Sequence, residues 1–240
     1  MDLRRAFTYP FADSRWPAKL GRAATIACLP IVGQLALSAY AVQAIRTVAT
    51  KPDDTDLPPW RLDRTTLMLG LKCQLLSIAC ALAAGLLTLP LWALTTADTD
   101  STTETTTKPV PALIAAFHDP TTLLTTALMA LFSSLCLARY ATTGSAWAAL
   151  DLAAIWSHLR AEPAIWIAAA VLGFAIEETP STLAWLLPLP TSWQLPALLI
   201  ATAFFWPFAT LVQAHLIAQA YRWSSQTLAR RRPLIVKVRW

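Results

Sequence analysis

The side chains that could do chemistry in this chain are few and scattered. Glu177 and Glu178 are adjacent at the end of an apolar run that begins at Ala164. Ionisable groups within a membrane span are costly and often functional, so a pair placed there would bind a cation or pass a proton. The competing and preferred reading ends the helix near Glu178, with Pro180 as its breaker and both carboxylates in water. His215 and Gln219 are four residues apart and therefore share one helix face, with Gln213 nearby. Such side chains commonly bridge membrane helices, at roughly 0.6 kcal/mol each, or line a solute path; bridging is the preferred reading. Gln34 follows Pro30-Ile31-Val32-Gly33, where its amide can satisfy backbone groups freed by a turn. Gln34, Glu177, Glu178, Gln213, His215 and Gln219 thus form the candidate polar pathway or helix-bridging set.

Nothing else resembles catalytic machinery. The chain has no G-x-x-x-x-G-K-[ST] loop, no G-x-S-x-G elbow and no H-E-x-x-H pair. His118, His158 and His215 are far apart in sequence, so a metal centre is not expected. Cys28, Cys73, Cys80 and Cys136 all lie in apolar stretches without metal or redox spacing. Cys73 and Cys80, seven residues apart, share a helix face; all four read as small buried apolar groups. No catalytic residue and no cofactor are expected.

The elements that must carry these residues are set by the distribution of apolar sequence. The chain is 56% hydrophobic and only 14% charged, against about a quarter charged in a soluble domain, and its mean hydropathy is +0.49. Five apolar blocks stand out: Ala23 to Ile45, about Leu67 to Leu94, Thr121 to Leu137, Ala164 to Ile176, and Leu195 to Tyr221. A spanning helix needs about 20 mainly apolar residues. The second and fifth blocks exceed that, the third is just long enough, and the fourth is short unless it includes Glu177 and Glu178. The expected class is all-α: a polytopic membrane bundle of four spanning helices plus an N-terminal re-entrant hairpin, or five spans.

Charge sets the orientation. The net charge of +5 comes from residues that flank apolar blocks, a pattern of membrane orientation and not of nucleic-acid binding. Arg4, Arg5, Arg15, Lys19 and Arg22 precede the first block; Arg46, Lys51, Arg61, Arg64 and Lys72 follow it. Cytoplasmic loops collect Lys and Arg, so both flanks belong inside, which a single crossing cannot achieve. The first block is therefore expected to dip in and return, turning at Pro30-Ile31-Val32-Gly33. Its arms, Ala23–Leu29 and Gln34–Ile45, would be about 10 and 18 Å long, short of the ~30 Å apolar core. The remaining blocks then cross four times and leave 18 of the 19 basic residues inside, Lys108 being the exception. Full crossing by the first block is the alternative, since 23 apolar residues are long enough to span.

The connecting segments have their own signatures. Residues 95–109 are Thr-rich and read as a solvated external loop. Ser145 to Arg160 reads as one helix lying on the cytoplasmic surface, with Trp147, Leu150, Ala154 and Trp156 dipping in and Asp151, Ser157 and His158 polar. Trp16, Trp60, Trp92, Trp147, Trp156, Trp193 and Trp223 lie near block ends, where an indole ring can sit at headgroup level. Trp206 is the exception, near the middle of the fifth block beside Pro207, where a kink is expected. Tyr40, Trp60 and Arg64 are weakly echoed by Tyr140, Trp156 and Arg160. Ala39-Tyr40-Ala41 imitates a signal-peptide cleavage site, but the segment before it is too long and carries Asp13 after its first basic cluster, so it is read as mature protein. Residues 1–222 form one transmembrane domain and 223–240 a basic cytoplasmic tail. There Arg230, Arg231, Arg232, Lys237 and Arg239 are candidates for contact with anionic lipid or an acidic partner.

The run Phe11-Ala12-Asp13-Ser14-Arg15-Trp16-Pro17-Ala18-Lys19-Leu20-Gly21 is distinctive. It is followed by Leu29-Pro30-Ile31-Val32-Gly33, Tyr40, Arg46, Leu57-Pro58-Pro59-Trp60 and Gly70-Leu71. Arg139-Tyr140-Ala141, Gly144, Asp151, Ile155-Trp156, Arg160 and Pro163 continue the order. This order, over roughly residues 7–222, resembles a prokaryotic membrane-protein family known as domain of unknown function four-zero-one-three. Pro59 stands where an acidic residue is usual in that family. The resemblance implies architecture and a prokaryotic inner-membrane location, and no catalytic roles.

The expected function is that of a non-enzymatic accessory, scaffold or assembly subunit of a membrane complex, with membrane lipids and other membrane proteins as partners, in a homo- or hetero-oligomer. A small-solute or ion transporter or channel is the alternative. The hairpin expectation is checked by labelling Thr50→Cys in a Cys-free chain within sealed cells: an impermeant thiol reagent applied outside is expected to leave it unmodified, and modification would place the loop at Lys51 outside.

Overall fold

The protein is described by a computed structural model that covers residues 1–51, 56–97, 120–186 and 191–231. Among these residues there are nine helices and no strand. In chain order they are α1 (Leu3–Ala12), α2 (Trp16–Ala27), α3 (Pro30–Thr50), α4 (Arg64–Ala97) and α5 (Pro120–Thr143), then α6 (Ala146–Ala149), α7 (Leu152–Ala161), α8 (Pro163–Leu186) and α9 (Thr191–Arg231).

Local chemistry starts most of them. Asp2 caps α1 by accepting from the Arg5 amide at 2.9 Å. Asp63 caps α4 by accepting from the Thr66 amide at 2.7 Å, and Asp151 caps α7 by accepting from Ala153 and Ala154. A short polar side chain satisfies amides that a helix start leaves orphaned. Proline, which has no amide to orphan, opens α3, α5 and α8.

Among the described residues, three helices are long and apolar enough to cross a membrane, over Ile31–Thr50, Arg64–Leu86 and Leu124–Thr143. A fourth span arises if α7 and the Pro163–Glu177 part of α8, bent at 100° to each other, count as one. α9 has 41 residues, about 60 Å of helix and twice the apolar core of a bilayer. α9 is the central strut: α1, α2, α3, α7 and α8 all pack on it. The core joins α3 (Tyr40, Ile45), α4 (Cys73), α5 (Leu135), α8 (Trp166) and α9 (Leu211, Leu216, Ile217). Gly70 of α4 lies on the backbone of α3, where an added Cβ would stand 1.9 Å from the Leu35 carbonyl oxygen. Such contact needs a residue without a side chain.

Several expectations need correction. The hairpin turn lies at Cys28–Leu29, because Pro30 starts α3 and the Gly33 amide donates to the Leu29 carbonyl at 2.8 Å. Gly33 is pressed against α2, with no room for a Cβ beside the Ile26 carbonyl. The second arm is 21 residues long, about 31 Å, which is enough to reach across an apolar core. The Ser145 to Arg160 stretch breaks into α6 and α7 at Leu150–Asp151, since Asp151 caps a new helix. Trp147, Leu152 and Trp156 are exposed there, at 86, 69 and 61%. His158, expected on the polar face, is buried: its Nδ1 pairs with Ser224 Oγ at 2.9 Å and its ring stacks on Tyr221. The Tyr140–Trp156 echo is not kept in packing, because Trp60 stacks on Tyr40 while Trp156 stands exposed. Of the four thiols, Cys73, Cys80 and Cys136 are buried, but Cys28 is exposed at the hairpin turn. The Thr-rich segment lies outside the described residues from position 98 onward.

The N-terminal helices are tied down by a charged clamp. Asp13 accepts from the Leu57 amide at 3.0 Å while Lys19, paired with Asp13, donates to the Leu57 carbonyl at 2.6 Å. Burial works against the Asp13 charge, but hydrogen bonds from Lys19 and from the Arg15 and Leu57 amides outweigh it and hold the carboxyl below its ordinary value of 3.8. A depressed folded-state pKa stabilises the fold above the ordinary value, and that contribution is lost as pH falls through the folded value. Asp13→Ala should cost about 2–3 kcal/mol, read as a lower melting temperature in mild detergent at neutral pH. Asp13→Asn should flatten the acid limb of the stability curve. An unchanged acid limb would show that the clamp carries little of the fold.

Candidate functional site

Polar residues from five helices converge on one cavity of about 510 Å³. α3 supplies Gln34 and Ser38, α4 Gln74 and Ser77, α5 Ser133 and Ser134, α8 Glu177, and α9 Trp206, Thr210 and Gln213. The stripes follow helical spacing: 34 and 38, 74 and 77, and 210 and 213 each lie on one face. Gln74 Nε2 donates to Ser38 Oγ at 2.6 Å, joining α4 to α3 across the wall. Gly173 of α8 makes room for Gln213, since a Cβ there would stand 2.8 Å from the Gln213 Cγ.

Glu177 lines the cavity from α8, which does not stop at Pro180 but continues to Leu186. Thr179, directly before the proline, donates its hydroxyl to the Ala175 carbonyl at 2.8 Å. The expected helix end near Glu178 is thereby corrected. The backbone of Glu178 lies in α8, and its side chain is outside the described residues.

The candidate set therefore divides. Gln34, Glu177 and Gln213 meet at the cavity, whereas His215 and Gln219 face α1. At about 100° per residue, position 215 points nearly opposite to 213, while 219 returns to within about 40° of 215. His215 is buried and stacks on Tyr9 with ring centroids 4.8 Å apart. Gln219 Oε1 accepts from the Asp2 amide at 2.7 Å, and its Nε2 donates to the Asp2 carbonyl at 3.0 Å. These two side chains bridge helices. Ser38, Gln74, Ser77, Ser133, Ser134, Trp206 and Thr210 are not among the site candidates that the sequence singles out. The available signal was an amide or hydroxyl at helical spacing within otherwise apolar blocks.

Among the described residues no three His, Cys, Asp or Glu side chains gather to hold a metal ion. The basic side chains that mark orientation also serve the bundle. Arg46 Nε donates to the Ala141 carbonyl at the end of α5 at 2.7 Å, and Arg139 Nε to the Ala148 carbonyl at 2.9 Å. Arg230 and Arg231 are exposed in the last turn of α9, where cations suit the helix dipole. Arg232, Lys237 and Arg239 lie outside the described residues.

A cavity whose mixed wall includes amides, hydroxyls and a carboxylate beside apolar side chains should hold water. In a Cys-free chain, Ser77→Cys and Ser133→Cys are expected to react with a small hydrophilic methanethiosulfonate at least about tenfold faster than Leu135→Cys, which replaces a side chain 1% exposed. Mass spectrometry reads the modification, and equal protection of all three would mean a dry, closed interior.

Residues 23–189 match the family described as Protein of unknown function (DUF4013). The match begins at Ala23, so the Asp13–Lys19 run lies before the matched segment. The chain matches no curated protein and no solved structure. The match spans well over half of the 240 residues, and with the helices that order those residues it makes this chain a member of the DUF4013 family.

Proposed function

We propose that this protein binds a small polar solute in the cavity between α3, α4, α5, α8 and α9 and carries it across the membrane. The supporting observation is the convergence of Gln34, Gln74, Gln213 and Glu177 on one space of about 510 Å³. Polar groups inside a bilayer are costly, and a bundle that only needs to pack pairs them helix to helix, as Gln219 is paired with the backbone of Asp2 at the start of α1. Here five helices bring polar groups to the wall of one shared space. Its volume lies within the range of small-molecule sites, about 300–1,000 Å³.

In this reading the basic flanks and both termini lie in the cytoplasm of a prokaryotic cell. The α2–α3 pair enters from that side, as a re-entrant hairpin or with α3 crossing. The exposed Trp147, Leu152 and Trp156 rest in the cytoplasmic headgroup layer.

A role as an accessory subunit is the second reading. It draws on the outer face of α4, where Leu75, Ile78, Leu82, Leu86 and Leu89 are 53 to 67% exposed. A partner helix or lipid would cover that face equally well.

Purified protein in sealed liposomes separates the two readings. Solute uptake is expected, and Glu177→Gln should reduce it at least about tenfold while the chain still accumulates and migrates as a single species. Absence of uptake, together with a stoichiometric companion retained from native membranes, would replace transport by the accessory role.

A further inference from the structure

We infer that the ligand of this cavity is an organic cation bearing an ammonium group, held between the Glu177 carboxylate and the Trp206 ring. The inference rests on reading the cavity as a ligand site, and it adds the chemical class of the ligand. Among the described groups lining the space, Glu177 carries the one formal charge, and no Lys, Arg or His lines it. A site of this sign repels anions and draws cations.

The second observation is the position of Trp206. α8 and α9 run antiparallel: the Glu162 carboxylate accepts from the Thr227 hydroxyl near one end, and Gly173 meets Gln213 further along. From the Gly173–Gln213 contact, Glu177 is one turn onward, about 6 Å, and Trp206 two turns in the same direction, about 10 Å. Carboxylate and indole therefore stand at the same end of the cavity. An indole face attracts a cation more strongly than any other side-chain ring, and an aromatic group beside a carboxylate is a recurring receptor for ammonium groups. The amides of Gln34, Gln74 and Gln213 add carbonyl oxygens that accept from ammonium N–H donors or from a hydroxyl on the same ligand. The cavity is also far larger than the coordination shell of a bare metal ion, so it suits an organic cation.

The probes are choline, ethanolamine and putrescine, with 3,3-dimethylbutan-1-ol as the uncharged counterpart of choline and acetate as the anion. Binding is measured by calorimetry on the full chain in mild detergent. At least one of the three cations is expected to bind, with the alcohol and acetate at least about tenfold weaker. Glu177→Gln should weaken that binding at least about tenfold, Trp206→Leu about tenfold and Trp206→Phe less, since phenylalanine keeps a ring. Trp206→Phe also separates loss of the ring from loss of the fold. Equal binding of the alcohol, undiminished binding in Trp206→Leu, or binding of none of the three cations would overturn the inference. Cation binding with these dependences but no uptake in liposomes would sustain it and remove the transport reading. Uptake of uncharged polar solutes without any cation binding would do the reverse.

Discussion

The Asp13–Lys19 pair grips both backbone groups of Leu57, and the N-terminal third of the protein depends on that grip. A carboxylate takes the amide and an ammonium takes the carbonyl of one residue in a segment without regular structure. Charge-assisted bonds are roughly twice as strong as neutral ones, and they satisfy a buried peptide unit that has no helix to satisfy it. Leu57 is itself 2% exposed. Fixing it places Trp60 three residues later, where the indole stacks on Tyr40 of α3 at 3.8 Å. The same pair holds α2 at its N-terminal end, so α1, α2, the loop and α3 are registered against one another.

Two different ways of spending polarity meet on α9. One face binds α1 through His215, Gln219 and the aromatic cluster of Phe7, Phe11 and Phe208. The other presents Trp206, Thr210 and Gln213 to the cavity. On the first face every amide group of Gln219 is matched to the backbone of Asp2. On the second, polar groups surround a void. The contrast separates a polar face that holds a fold together from one that leaves room. Close backbone contact elsewhere, at Gly33 and Gly70, makes that room affordable by letting α2, α3 and α4 pack without intervening side chains.

Basic residues have a double role. Loops rich in Lys and Arg orient a membrane chain, yet Arg46 and Arg139 each donate to a backbone carbonyl, at Ala141 and Ala148. Helix ends leave carbonyls unsatisfied, and a guanidinium that binds one stays at the end of the bundle. Topology and packing thus ask for the same residue type at the same place.

Composition and the length of apolar blocks by themselves determined the all-helical class and the approximate bounds of α4 and α5, because a bilayer demands runs of about 20 apolar residues and helices satisfy their backbones. Helical periodicity also put His215 and Gln219 on one face. Three further features were decided by tertiary structure. Pro180 read locally as a helix end, but α8 carries it on to Leu186, and Glu177 lines the cavity. Helical spacing already sets Gln213 and His215 on opposite faces of α9, but which face meets α1 and which meets the cavity was decided by packing. Gln34, Gln74 and Glu177 lie in three separate helices, and sequence spacing within one helix carries no information about which faces of different helices will meet.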